Sequence, residues 1–339
     1  MNAQIPTAKD GGRSKNHSAT RIELDHWRWV LWLIAIIAVL AAMALPVLQH
    51  AKAKRQGQVI AYCAQDQEYA EPIFREFNKQ AGVKVRAVYD NEAVKTVGLA
   101  NRLLAERRHP RCDVFWGNEE LRTRQLAAQD VFRETNGWAA VGYRSRRIVI
   151  NTNWVSLAAA PRSLLELTNE TWRGKVAVAY PQFGTTVTHF HALRQHWGDE
   201  LWRAWCRALA SNKPLLVDGN SVVVKMVGRG EAWIGLTDSD DVASGQEEAL
   251  PVAPLPMNEE TLLIPNTVAV VRGAPHPQSA QRLFEYLQRR DVVQELIAAH
   301  ALEGFSAGAV STPTLKVNWD AMLRDLAGAT AELNRLFLR

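Results

Sequence analysis

Between residues 58 and 116 the sequence switches repeatedly between two periodicities, and that alternation restricts the fold more than any other feature. Gln58-Val59-Ile60-Ala61-Tyr62-Cys63 is a short apolar run of strand type. Glu68 to Gln80 then places Tyr69, Ile73, Phe74 and Phe77 on one helical face. Val83 to Val88 alternates as a strand, and Glu92 to about Arg107 reads as a helix that tolerates Gly98 and stops before Pro110. Asp113-Val114-Phe115-Trp116 is the next strand. Strand, helix, strand, helix, strand predicts a parallel sheet covered by helices, an α/β fold.

A second block repeats the pattern. Arg147 to Asn151, Lys175 to Ala179, Ala232 to Leu236 and Thr267 to Val271 read as strands. Helices are expected from Pro161 to Leu167, where Pro suits the first turn, from Thr185 to Trp197, from Asn220 to Gly228, from Gln278 to Arg290 and from Asp320 to Leu336. With 339 residues and 47% hydrophobic content the chain has material for two sizeable cores. The net charge of +5 is scattered, as on a soluble basic surface, and nucleic-acid binding is not expected.

Residues Trp29 to His50 contain no Asp, Glu, Lys or Arg. About 20 apolar residues cross a bilayer as a helix, so residues 29–50 are expected to be a transmembrane anchor or a signal segment. Lys9, Arg13, Lys15, Arg21 and Arg28 precede the run and predict a cytoplasmic, disordered tail over residues 1–28. Ala51-Lys52-Ala53 offers a cleavage-like site. Either way, residues from about 56 onward are placed outside the cytoplasm. Cys63, Cys112 and Cys206 form no C-x-x-C pair, which disfavours a metal–thiolate site and leaves one disulfide open.

From about 57 to 312 the chain resembles periplasmic substrate-binding proteins of ABC importers, in the branch that includes ferric-ion-binding proteins. The resemblance rests on the order and spacing of Ala61-Tyr62-Cys63-Ala64-Gln65-Asp66, Asp113-Val114-Phe115-Trp116, Arg144-Ser145-Arg146, Leu167-Thr168-Asn169-Glu170-Thr171-Trp172-Arg173-Gly174-Lys175, Pro181-Gln182-Phe183-Gly184-Thr185-Thr186, Gly219-Asn220-Ser221-Val222 and Gly230-Glu231-Ala232. It implies a two-lobed type 2 periplasmic-binding-protein fold with a hinge. Lobe 1 would hold residues 57–147 and 265–312, lobe 2 residues 148–264, and a C-terminal helix residues 313–339. The ligand would sit in the cleft, outside the carboxyl ends of the strands.

The same resemblance implies the site. Ferric binders of this branch use a His or Tyr after the first strand, sometimes a Glu after Asp-Val-Phe, and an adjacent Tyr-Tyr pair. The matching positions here are Asp66, Asn118 with Glu119 beside it, and Asp240 with Asp241; none is a tyrosine. An anion cradle is implied at Gly184, Thr185 and Thr186, at Asn220 and Ser221, and at Arg144, with two helix starts presenting free N–H groups. Plain helix capping is the alternative for Thr185, Asn220 and Ser221. A solvated turn is the alternative for Asp238-Ser239-Asp240-Asp241. His189 and His191 are expected to be helix-surface or packing residues rather than ligands.

Three ligand types fit this pattern. One is a metal ion with a bound anion, held by Asp66, Asp240 and Asp241, with ferric ion as a transported ligand. Another is an amino-bearing anion such as an aminophosphonate. The last is a polyamine, met by Tyr62 and Trp116. No cofactor is expected, and no G-x-S-x-G, H-E-x-x-H, P-loop or dinucleotide fingerprint suggests an enzyme. The partners expected are an ABC permease and ATPase, a small ligand, and the membrane through the N-terminal helix. A membrane-tethered sensor domain is the rival from another class.

Overall fold

The computed structural model describes residues 29–43, 57–90, 95–135, 137–182 and 184–338. Residues 29–43 form helix α1, with Trp29, Trp32, Ile37 and Leu40 all exposed. Among the described residues no helix is long and apolar enough to cross a membrane. The expected transmembrane helix is therefore not supported: the described helix, residues 29–43, is shorter than the roughly 20 residues a span requires. The tail, residues 44–50 and Ala51-Lys52-Ala53 lie outside the described residues.

Residues Gln56–Arg339 form a separate compact unit. Its first half runs β1 (Gln58–Cys63), α2 (Gln67–Ala81), β2 (Lys84–Val88), α3 (Lys95–Glu106), β3 (Val114–Gly117), α4 (Glu120–Ala127) and β4 (Trp138–Asn151). Then come β5 (Val176–Ala179), α5 (Gly184–Trp197), α6 (Asp199–Ser211), β6 (Leu215–Val217), α7 (Asn220–Gly228), β7 (Ile234–Asp238), α8 (Ser239–Glu247) and β8 (Val252–Pro254). The chain returns through β9 (Leu263–Val270), α9 (Pro277–Leu287), α10 (Arg290–Ala298) and α11 (Trp319–Phe337).

The strands follow the order β2-β1-β3-β9-β4-β7-β5-β6, with β8 added beside β4. The expected parallel pairing holds on both flanks: β1 pairs parallel with β2 and β3, and β5 with β6 and β7. In the middle, β4 and β9 run antiparallel to their neighbours. Strand β4 is 14 residues long. Residues Trp138 to Ser145 pair with β9, whereas Arg146 to Ile150 pair with β7. One strand thus joins the two parallel flanks of the sheet.

The pairing of β4 with β9 shifts register between Ala140 and Tyr143. Gly142 sits in that bulge at φ +71°, and a Cβ there would lie 2.5 Å from Leu302 Cδ1. Both the backbone and the space therefore require glycine.

Apolar periodicity explains the covering helices. Helix α2 buries Ala70, Ile73, Phe74 and Phe77, and Phe74 meets Trp116 of β3 edge-on at 5.5 Å. Helix α11 buries Met322, Leu326, Ala329 and Leu333, while the Asn318 side chain accepts from Ala321 N at its start. Each fully buried side chain of that size contributes about 1.5–3 kcal/mol. The expected helix from Pro161 is instead a 3-10 turn, Leu164–Thr168, in which Ser163 accepts from Leu165 N. Cys63, Cys112 and Cys206 are all buried, and no disulfide joins them among the described residues.

Candidate functional site

Strand β7 ends at Asp238, and register pairs Asp238 with Arg146 on β4. Arg144 lies two residues before Arg146, so period-2 alternation sends both side chains to the same face. Arg146 Nη1 donates to Asp238 Oδ1 at 2.6 Å, and Arg144 Nη2 donates to Asp238 Oδ2 at 3.1 Å. Thr185 Oγ1, at the start of α5, donates to Oδ2 at 2.8 Å. Asn220 Nδ2, at the start of α7, donates to Oδ2 at 3.2 Å. Burial alone would raise the Asp238 carboxyl, but Arg146 and Arg144 hold it below its usual range.

This geometry accounts for three residues of the expected anion cradle. Thr185, Asn220 and Arg144 do converge, but on the protein's own Asp238 carboxylate. An external anion at that position would have to displace Asp238. Arg146 and Asp238 carry most of the charge there, and neither was singled out from the sequence.

Two residues further on the chemistry changes. The segment Asp238 to Asp241 is not a solvated turn. Asp238 is the N-cap residue of α8, without a side-chain capping bond, and Asp240 and Asp241 stand in the first helical turn. Asp240 is only 4% exposed. Its Oδ1 has no hydrogen-bond partner among the described residues. Arg144 Nε lies 3.3 Å from that oxygen, but its N–H is directed at Asp238 Oδ2. Burial is the largest cause raising the Asp240 carboxyl to about 7; Arg144 opposes it, and Asp238 and Asp66 add to it.

Asp240 borders a cleft of about 320 Å³, within the range of small-ligand pockets. Asp66, Glu68, Tyr69, Asp241 and Glu248 also line it, together with Ser221 and Lys225. Asp66 is the N-cap residue of α2, just beyond the carboxyl end of β1. Burial raises the Tyr69 hydroxyl well above its usual range, and Asp240, Glu68, Asp66 and Asp241 raise it further. Oxygen atoms of Asp238, Asp240 and Asp241 lie within 4.8 Å of one another. A cleft with five carboxylates and one lysine suits a cation.

The remaining expected residues fall outside this cleft. Asn118 accepts a hydrogen bond from Thr96 Oγ1 at 2.5 Å, and its carbonyl oxygen accepts from Arg144 Nη1 at 2.9 Å. Gly184 opens α5 at φ +53°, and Thr186 is buried within that helix. Neither lines the acidic cleft. Tyr62 and Trp116 are each 1% exposed, and the Tyr62 hydroxyl donates to Glu106. They do not face the cleft, so the aromatic wall expected for a polyamine is absent at those two positions. Tyr69, on the apolar face of α2 by its spacing, is the aromatic residue that does line it. His189 and His191 are buried in α5, as expected for packing residues.

Residues 59–300 match the model of a family described as bacterial extracellular solute-binding protein. An Fe(3+)-binding periplasmic protein of Serratia marcescens is 30% identical over 212 residues, covering 57% of this chain and 60% of that protein. The chain thus spans less than two thirds of that relative's length. Iron-bound HitA from Pseudomonas aeruginosa has a similar structure, with a TM-score of 0.74 at 17% identity, over 82% of this chain and 99% of that one. AfuA from Actinobacillus pleuropneumoniae, with exogenous fructose-6-phosphate bound, gives 0.67 at 18% identity, over 83% and 97%. At these identities the likeness is one of fold.

Proposed function

The chain belongs to the bacterial extracellular solute-binding proteins, and on that premise we propose that it captures ferric ion between its lobes and delivers it to an ABC importer. The observation that carries this reading is the buried Asp240 carboxylate, whose Oδ1 lacks a hydrogen bond in a cleft lined by four further carboxylates. A hard cation favours anionic oxygen donors. Asp240, Asp241 and Asp66 would hold it, with Tyr69 beside them. Oxygens that bind one small cation at about 2 Å stand at most about 4 Å apart, and oxygens of Asp240 and Asp241 already lie within 4.8 Å of each other. The relative's name supports iron as cargo.

With lobe boundaries near residues 147 and 264, the hinge would lie where β4 and β9 pass from one lobe to the other. Closure about that hinge would bring Asp66 toward Asp240 and Asp241, and the permease would read the closed form. A periplasmic location is supported by the family and by the relative's name. The acidic wall also favours a second reading, a polyamine. An aminophosphonate loses support, because Asp238 already fills the cradle that its phosphonate would need.

The test is thermal unfolding of the full chain with ferric citrate, citrate alone, spermidine or 2-aminoethylphosphonate. A ligand of the folded state at 100 times its Kd stabilises by about 2.7 kcal/mol. A rise with ferric citrate alone, lost in Asp240→Ala, is the expected result. A rise with spermidine and none with iron would replace iron by the polyamine. No rise with either would remove the cation reading.

A further inference from the structure

The two sides of the acidic cleft come from different flanks of the sheet. Asp66 follows β1, whereas Asp240 follows β7, and β3, β9 and β4 run between those strands. A buried chain of side-chain hydrogen bonds crosses this distance. It begins at Gln65, the neighbour of Asp66 and itself buried. Asn266 of β9 is fully buried and donates from Nδ2 to Gln65 Oε1 at 2.6 Å. Its Oδ1 accepts from Arg144 Nη1 at 2.8 Å. Arg144 of β4 in turn donates to Asp238 and lies against Asp240. Thr267 pairs with Ala140 and Pro265 with Tyr143, so Asn266 stands opposite the bulge of β4.

The direction of each bond is forced. A guanidinium only donates, so the Asn266 oxygen must face Arg144 and its nitrogen must face Gln65. Gln65 then has to present its oxygen, and turning either amide over would set two donors against each other. Gln65 Nε2 has no hydrogen-bond partner among the described residues. Asn266 is therefore the one polar anchor of the Gln65 side chain among the described residues. Arg144 does not depend on Asn266 in the same way. It also donates to the Asn118 carbonyl oxygen and to Asp238, which Arg146, Thr185 and Asn220 hold as well. One end of the chain is held by many bonds and the other by one.

We infer that Asn266 is a positioning residue of the acidic cleft: it registers the Asp66 side against the Arg144–Asp238 cluster beside Asp240. Its effect on cargo rests on the cation reading proposed above. Being fully buried, Asn266 acts only through its neighbours. A carboxylate held in place before binding loses less freedom when a ligand arrives, which strengthens binding. A fixed spacing also favours one cation size over others, since selectivity among hard cations follows cavity size and flexibility. Without Asn266 the Asp66 side shifts more freely, and both gains fade.

Hydrogen exchange of the full chain without any cation, followed by mass spectrometry, tests the link. In Asn266→Leu the segment 64–72, where Tyr69 N and Ala70 N donate to the Asp66 carbonyl oxygen, should exchange at least about fivefold faster. Segments 239–245 and 277–287 should stay within about twofold of the wild type. Gln65→Leu removes the same bond from its other end and should give the same pattern if Asn266→Leu does not fold. Asn266→Asp should restore slow exchange, because a carboxylate accepts from Arg144 and the Gln65 amide can turn to donate to it. No change over 64–72, or faster exchange in all three segments alike, overturns the inference, as does fast exchange that persists in Asn266→Asp. Asn266→Leu should also lose at least about tenfold in ferric affinity, and less for the larger lanthanum ion, in competition with citrate. Unchanged ferric affinity overturns the positioning role. A wild type that takes no ferric ion would remove the cation reading, while exchange still decides the link.

Discussion

Asp238 and Asp240 stand two residues apart at the start of one helix, both buried, and their chemistry is opposite. Asp238 receives donors from Arg144, Arg146, Thr185 and Asn220, and its carboxyl is held below the usual range. Asp240 shares the edge of Arg144 and little else, and its carboxyl rises to about 7. Burial is the first cause in both. The supply of donors decides which carboxylate becomes internal structure and which stays available to a ligand.

The hardest test of this contrast removes Asp238. Asp238→Ala leaves the buried Arg146 guanidinium without its counter-charge and Arg144 with Asp240 alone, and should cost about 3–5 kcal/mol, read as a lower urea midpoint. It also reopens the cradle, so phosphate should restore stability to the variant and do nothing for the wild type. A loss below about 1 kcal/mol, the worth of an exposed ion pair, would break the comparison.

Asp240→Ala should act in the other direction on the two observables. Ferric ion affinity should fall by at least about 100-fold, roughly 2.7 kcal/mol, in competition titrations with citrate. Stability without ligand should hold or rise, because an incompletely paired buried carboxyl is lost. Unchanged affinity would mean that the cleft is no cation site.

A pH series sharpens the comparison further. The folded state holds the Asp240 proton up to about pH 7, whereas an ordinary Asp releases it near 3.8. Between those values the folded state binds more protons than the unfolded one, so stability without ligand falls as pH rises. Each pKa unit is worth about 1.4 kcal/mol. Asp238, with its lowered carboxyl, adds stability above the ordinary value and loses it only in stronger acid. Urea midpoints at pH 5 and 7 should therefore differ in the wild type, and the Asp240 contribution should vanish in Asp240→Asn. Cation affinity should rise over the same window, as the proton gives way to the metal.

The smallest effect belongs to Asn220→Ala. It removes one neutral donor from Asp238 and should cost about 1 kcal/mol while leaving cation affinity in place. A large loss of cation affinity would show that cradle and cleft act as one site.

These contrasts explain what the sequence could reveal. Strand Gln58–Cys63 and helix Gln67–Ala81 were legible because their apolar periods are local. The acidic positions Asp66, Asp240 and Asp241 came only from the resemblance to ferric-ion-binding proteins, and all three line one cleft. The role of Asp238 was not legible, because its partners Arg146 and Thr185 are 92 and 53 residues distant in the chain. Helix α8 was missed because Ser-Asp-Asp-Val-Ala-Ser-Gly-Gln-Glu carries only one large apolar residue. Helix α6 had a usable signal: Trp202, Trp205, Cys206 and Leu209 recur at helical spacing and are buried. Tyr69 shows the limit of face assignment, since a residue on the packing side of a helix can still border a cleft at the helix's first turn.

The buried cysteines have a practical consequence. Burial raises the Cys112 and Cys206 thiols above their usual range, and Cys63 is equally shut off from solvent. The thiolate is the reactive form, so the native chain should be nearly silent toward maleimides and spin-label reagents. A pair of surface cysteines placed one on each lobe would then carry the only probes on the molecule. Their separation, measured with and without cargo, would follow the hinge directly and without background from the protein's own sulfur.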